Sequence, residues 1–116
     1  MAKSYRDLLI WQRAIQLTLS IYRLTAGFPK EELYGLTSQI RRASVSVASN
    51  IAEGYGRGTR GEYKQFLCMA RGSNLEVQTQ LVIAMELGYG NPQSLNEAEQ
   101  LSFEVGKMMT SLLSKL

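Results

Sequence analysis

Apolar residues recur along this chain at intervals of three and four, and the recurrence breaks only at clusters of glycine and proline. Between about positions 6 and 25, Ile10, Ala14, Leu17, Ile21 and Leu24 follow a 4-3-4-3 spacing. On a 3.6-residue turn that spacing lays all five along one seam of an α-helix. Ser4 and Asp7 form an S-x-x-D capping box ahead of it, and Gly27-Phe28-Pro29 ends it. A second helix is predicted over 30–53, with Glu31 and Glu32 near the positive end of its dipole and a stripe of Leu33, Leu36, Ile40, Ala43, Val47 and Ile51. The third is predicted over 60–87, on Tyr63, Phe66/Leu67, Ala70, Val77, Leu81 and Ala84/Met85. The fourth is predicted over 93–115, on Leu95, Ala98, Leu101, Val105, Met108 and Leu112. Long helices with short connections predict an all-α fold: one antiparallel, up-down-up-down four-helix bundle over 1–116.

The first two helices carry more apolar surface than one bundle core can hide. Leu8, Trp11, Ile15, Leu19 and Tyr22 form a second row beside the first seam, and Val45, Ala48 and Ala52 do the same on the second helix. The second helix is also rich in small side chains, from Ala43 and Ser44 to Ser49 and Ala52, which let another helix approach closely. A homo-oligomer that buries this second face is the expectation, with a wide-cored monomer as the alternative. Gly72 sits mid-helix, where glycine costs about 1 kcal/mol relative to alanine. Such a residue marks a kink or the close approach of a neighbouring backbone. Gln39, Arg42, Ser46, Asn50 and Glu53 make a polar stripe at 3-4-4-3.

Composition narrows the chemistry. The 116 residues include no histidine and one cysteine, Cys68, in an apolar run. No intrachain disulfide can form, and a buried thiol in a reducing cytoplasm is expected. The N-terminal apolar run, Leu8 to Trp11, is too short for a signal-peptide core, and no apolar span is long enough for a membrane. A soluble cytoplasmic protein without membrane association follows as the expectation. The net charge of +3 is uneven: residues 1–71 carry eleven Lys/Arg against five Asp/Glu, and residues 72–116 two against five. That asymmetry suits a polyanion partner, or an acidic tail folded back on a basic front.

Gly56-Arg57-Gly58-Thr59-Arg60-Gly61 spells G-x-G-x-x-G, but a dinucleotide fingerprint needs a preceding strand. Here a helix precedes it, so Gly54, Gly56 and Gly58 read as a helix stop and a hairpin. Arg60, Lys64 and Arg71 share one side of the third helix, with Arg57 on the loop before them. They could track a phosphate backbone while Tyr55 and Tyr63 stack on unpaired bases; a merely solvated face has the same spacing. Catalysis is not expected. The commonest general base is missing, Glu-x-x-His metal pairs cannot form, and Cys68 sits among Phe66, Leu67 and Met69. Asn50, Glu53 and Glu76 are expected to pair with Arg41 or Arg42 and orient helices. No cofactor or metal is expected.

Asp7-Leu8, Trp11-Gln12, Phe28-Pro29, Gly35-Leu36-Thr37-Ser38-Gln39-Ile40-Arg41-Arg42-Ala43, Asn50-Ile51-Ala52-Glu53-Gly54, Phe66-Leu67, Ala70-Arg71-Gly72-Ser73 and Glu76 occur in one order and at one spacing. In this the chain resembles the bacterial four-helix-bundle proteins encoded in intervening sequences of 23S ribosomal RNA genes. The match covers nearly the whole chain, with the last helix matched in pattern only. Val45-Ser46-Val47 departs conservatively from an expected Ser-Ile step. The resemblance implies a ring-like homopentamer without enzymatic activity. It extends to the similar accessory proteins of diversity-generating retroelements, which work with a reverse transcriptase and bind nucleic acid. Two functions follow as expectations. In the first, Arg41, Arg42, Arg57, Arg60, Lys64 and Arg71 contact RNA or DNA. In the second, the protein is an interaction scaffold in which Gln39, Arg42, Asn50, Glu53, Gly72 and Glu76 hold helices and subunits in register.

Overall fold

In the computed structural model, which describes residues 2–116, four α-helices account for most of the chain: α1 (Leu9–Thr25), α2 (Leu36–Gly56), α3 (Arg60–Glu86) and α4 (Pro92–Ser114). Two short 3-10 turns, Tyr5–Asp7 and Lys30–Glu32, precede α1 and α2, and no strand occurs among the described residues. The 3-10 turns are where structure and sequence pattern part. Ser4 does cap, but its Oγ accepts from Arg6 N (3.1 Å) to close the Tyr5–Asp7 turn, and α1 begins two residues after that turn. Likewise Glu31 and Glu32 belong to the second 3-10 turn, and α2 starts only after Gly35. There Glu32 Oε1 accepts from Leu36 N (3.1 Å), satisfying one of the orphan donors of the new helix.

The other ends have simple chemical causes. Thr59 caps α3 by accepting from Glu62 N (3.2 Å), and its own hydroxyl donates to Glu62 Oε1 (2.9 Å). Asn91 Oδ1 accepts from Gln93 N and Ser94 N, with Pro92 in the first turn of α4. Gly58, at φ +91°, makes the reversal between α2 and α3 that a side chain would resist. Gly54 does not stop its helix, as its sequence neighbours suggest; α2 runs through it to Gly56. It is buried against α3, and a Cβ built there would lie 2.6 Å from Phe66 Cβ.

Each helix packs on its predecessor, and α4 packs on α1, so the four surround one core in a body 43 × 24 × 20 Å. The α1 seam is buried throughout, as are Ile40, Val47 and Ile51, Leu67, Val77 and Leu81, and Ala98 and Val105. Some stripe members are displaced, Leu101 and Leu112 being only partly buried. Leu33 lies outside the core because α2 has not yet begun, and Met109 rather than Met108 fills the last core layer of α4. Hydrogen bonds between α1, with the residues leading into it, and α2 tie pairs in opposite sequence order, Ala2 to Tyr55, Thr18 to Ser44 and Thr25 to Arg41, while Ser73 bonds Ser46 across α2 and α3 and Asn74 bonds Ser102 across α3 and α4. Among the described residues no helix is long and apolar enough to cross a membrane.

Candidate nucleic-acid interface

The bundle has four flanks of different chemistry. Along α4 and α1, Arg13 Nε stands 2.9 Å from Glu104 Oε1 and Arg23 Nη2 stands 3.5 Å from Glu97 Oε1. The Arg13 contact is an ion pair without an aligned N–H. These pairs fold acidic residues of the tail onto basic residues of the front; the Arg23–Glu97 pair is exposed, where such pairs contribute about 0–1 kcal/mol, and the Arg13–Glu104 pair is half-buried. Along α1 and α2, Trp11, Ile15 and Val45 line a shallow apolar groove, and Leu19 (52% exposed) and Tyr22 (44%) stand open on the same two helices. The second apolar row expected from the sequence is thus covered in part: Ala48 is buried and Leu8, Trp11 and Ile15 pack against the core, while Leu19, Tyr22 and Val45 stay exposed.

Along α2 and α3 runs a polar cleft of about 380 Å³. Its depth comes from small residues at the floor, Ala43, Ser46 and Ser73; Gln39, Arg42, Glu76 and Gln80 also line it. Ser73 Oγ donates to Ser46 Oγ (2.9 Å), which also accepts from Asn50 Nδ2 (2.9 Å). Gln80 Oε1 is buried without a hydrogen-bond partner among the described residues. The expected pairing of Asn50, Glu53 and Glu76 with Arg41 or Arg42 is not made. Asn50 bonds only within its own helix, to Ser46, and Glu53 binds Arg57 (2.9 Å). Arg42 and Glu76 share the cleft, and neither forms an ion pair among the described residues. Gly72 is exposed, and a Cβ there would meet nothing within 4 Å, so among the described residues no neighbouring helix approaches it closely.

The six candidate phosphate contacts do not form one patch. Arg41 turns toward α1: its Nε donates to Thr25 Oγ1 (2.8 Å) and its guanidinium lies 4.6 Å from the centre of the Tyr22 ring. Arg42, one residue on, turns toward α3. Arg57 is held in the loop by Glu53 and, more distantly, Glu62 (3.9 Å), over the Phe66 ring. Arg60, Lys64 and Arg71 are exposed on α3 and form no ion pair among the described residues. Nor are the two tyrosines open for stacking. Tyr55 donates its hydroxyl to Ala2 O (3.0 Å), and its ring meets Tyr63 edge-on at 5.9 Å. Burial, with the nearby Tyr55, raises the Tyr63 pKa above the ordinary phenol value. Cys68, expected buried, is only partly so, and Arg71 Nη2 reaches its Sγ at 3.7 Å.

The fourth flank, along α3 and α4, holds an apolar groove of about 510 Å³ between Arg71 and Lys107. Leu75 and Phe103 form its walls, with Gln78 and Thr110 beside them. Neither Phe103 nor Lys107 stands out in the basic-stripe pattern, which is confined to α3. The signal that reveals them is the set Phe103, Gly106, Lys107 and Thr110, spaced at 3, 4 and 7 and turned away from the α4 seam. Arg71 and Lys107 put cations on both helices beside one aromatic ring. Among the described residues no cluster of three His, Cys, Asp or Glu side chains could hold a metal.

Comparison with known families places this arrangement. The model of the 23S rRNA-intervening sequence proteins matches residues 6–111. The chain belongs to that family. Its fold is similar to the crystal structure of a protein of unknown function from the S23 ribosomal protein family of Bacteroides thetaiotaomicron, at a TM-score of 0.80 and 18% identity. The superposition covers 90% of this chain and 98% of that one. Comparison with curated proteins finds no match.

Proposed function

We propose that this member of the family is a non-enzymatic, ring-forming four-helix bundle that binds RNA or DNA along its α3/α4 flank. The observation that carries the reading is the set of exposed cations there. Arg60, Lys64, Arg71 and Lys107 lie on two helices and form no ion pair among the described residues. Unpaired cations beside an aromatic-walled groove are what a polyanion with flat bases requires. A role beside ribosomal RNA, or beside a reverse transcriptase, is the narrower form of this reading, and the cytoplasm is its setting. The reversed order of the hydrogen bonds between the α1 region and α2, and of the Ser46–Ser73 and Gly54–Phe66 contacts between α2 and α3, supports up-down-up-down, antiparallel neighbours.

The open α1/α2 flank supports self-association. On a four-sided bundle, neighbouring flanks stand roughly at right angles, and a head-to-tail contact between neighbouring flanks closes into a small ring such as a pentamer. The α1/α2 flank and the α2/α3 flank with Gly72 are neighbours and leave α3/α4 free. The test is a fluorescence-anisotropy titration against RNA and DNA at two salt concentrations. Arg60→Ala/Lys64→Ala/Arg71→Ala should weaken binding and lower the salt slope by about two to three. Affinity indifferent to salt, or untouched by the triple variant, rejects the reading. The unpartnered Gln80 carbonyl in the α2/α3 cleft favours the second reading, a protein scaffold. That reading predicts a pull-down partner that survives nuclease treatment and is lost with Arg42→Ala.

A further inference from the structure

Phe103 is the aromatic ring that the α3/α4 groove displays, 44% exposed and set between cations of two different helices. The groove is open at this point because α4 carries Gly106. A Cβ built there would lie 3.5 Å from Asn74 Nδ2 and 3.9 Å from Gln78 Nε2, so any longer side chain would occupy the space beside the ring. Buried Asn74 is tied to Ser102 at both ends of its amide, donating to its carbonyl (3.0 Å) and accepting from its hydroxyl (2.8 Å). Gln78 makes no hydrogen bond among the described residues and lines the same groove, so its amide can serve a ligand.

We propose that this groove is a stacking pocket for an unpaired nucleobase, so the protein selects single strands over duplexes. The inference rests on the nucleic-acid reading above and adds the strand state and the residue that senses it. Phe103 takes the face of the base, Arg71 and Lys107 take the phosphates on either side, and Gln78 faces the base edge. A duplex cannot use the ring, because its base faces are covered by the neighbouring pairs. Charge argues against a second copy in the groove. The α1/α2 flank offers apolar residues but no carboxylate among those lining it to answer Arg71 and Lys107.

The test compares one 20-nucleotide strand with its own duplex, using anisotropy for affinity and 2-aminopurine emission for stacking. Wild type should prefer the single strand and quench the probe. Phe103→Leu keeps an apolar side chain at a half-exposed position, so it should fold. It should lose about fivefold to a hundredfold in single-strand affinity, lose the quenching, and leave duplex binding within about twofold. Gly106→Leu, which fills the groove and spares the ring, should reproduce that loss. Equal losses on both substrates, or an undiminished single strand, overturn the pocket while leaving the nucleic-acid reading intact. A fall in mass by light scattering in Phe103→Leu overturns it in favour of a subunit contact. Wild type that binds neither substrate overturns both readings together.

Discussion

The packing of α2 on α3 at Gly54 depends on one missing methyl group, and Gly54→Ala restores it. The new Cβ would stand 2.6 Å from Phe66 Cβ and 3.3 Å from both Tyr63 Cδ1 and the Tyr63 carbonyl oxygen. Carbon atoms in contact prefer about 3.5–4.0 Å, so the helices must part by roughly 1 Å at this level. No rotamer relieves the clash, because both carbons are bonded directly to backbone. Overpacking of this kind costs about 1–3 kcal/mol. Against it stands the gain of replacing a helical glycine, about 1 kcal/mol. Partial loosening around Ile51 and Leu67 adds to the loss, giving a net destabilisation of about 1–2 kcal/mol and a melting temperature lower by roughly 5–10 °C. Urea and thermal unfolding followed by circular dichroism measure both. Gly106→Ala is the control, since its Cβ meets nothing nearer than 3.5 Å. It should gain about 0.5–1 kcal/mol from helix propensity alone. A Gly54→Ala protein as stable as wild type refutes the packing argument. Equal losses in both variants refute it too.

Other tests reach the remaining flanks. Leu19→Glu adds charge to a position 52% exposed in the protomer, so helicity should persist while light scattering shows assembly reduced to single copies; unchanged mass rejects the α1/α2 contact. Asn74→Ala strands the buried Ser102 hydroxyl and should cost about 2–3 kcal/mol, whereas Asn74→Ala/Ser102→Ala should lose less than Asn74→Ala and Ser102→Ala added together. Arg57→Ala breaks ion pairs whose side chains are 43–53% exposed and should change stability by less than about 1 kcal/mol. Tyr63, with its folded pKa raised by burial, contributes stability that is full below the unfolded value of 10.0 and is lost as pH rises through the folded value. Tyr63→Phe should therefore flatten the alkaline limb of a stability–pH profile above pH 10, and an identical limb in both proteins contradicts the assignment.

What the sequence made legible was whatever depends on period. The α1 seam, the α2 core positions from Leu36 onward and the helical segments themselves follow from 3.6-residue spacing, and burial agrees with them. What it hid depends on rotation and close contact. Arg41 and Arg42 are adjacent letters about 100° apart on a helix, and that angle sends one to Thr25 and Tyr22 and the other to the α2/α3 cleft. Gly54 looks like punctuation beside Gly56 and Gly58, yet only the neighbouring helix shows that it is a packing residue. Glu53 had a nearer cation, Arg57, than the arginines expected for it, because α2 continues far enough to bring i and i+4 together.

The same rotation argument links the candidate site to the assembly. Residues that satisfy one another inside the protomer, such as Arg41, Arg57 and Glu53, are removed from the pool available to a ligand. The cations left over on α3 and α4 are Arg60, Lys64, Arg71 and Lys107, and exposed apolar side chains stand on α1 and α2 (Leu19, Tyr22, Val45) and also on α3 (Met69, Val82, Ile83, Met85). A bundle that joined copies through α3/α4 would bury Arg60, Lys64, Arg71 and Lys107 against apolar side chains and strand their charge, at several kcal/mol per ion. One that joins through flanks meeting at α2 buries apolar rows and small residues instead, and repeats the basic groove once per subunit around the ring. Binding of a long strand should therefore be multivalent, with affinity rising steeply once the strand spans two grooves. Titrating strands of increasing length measures this. An affinity that grows only in proportion to length would place the groove, or the ring, elsewhere.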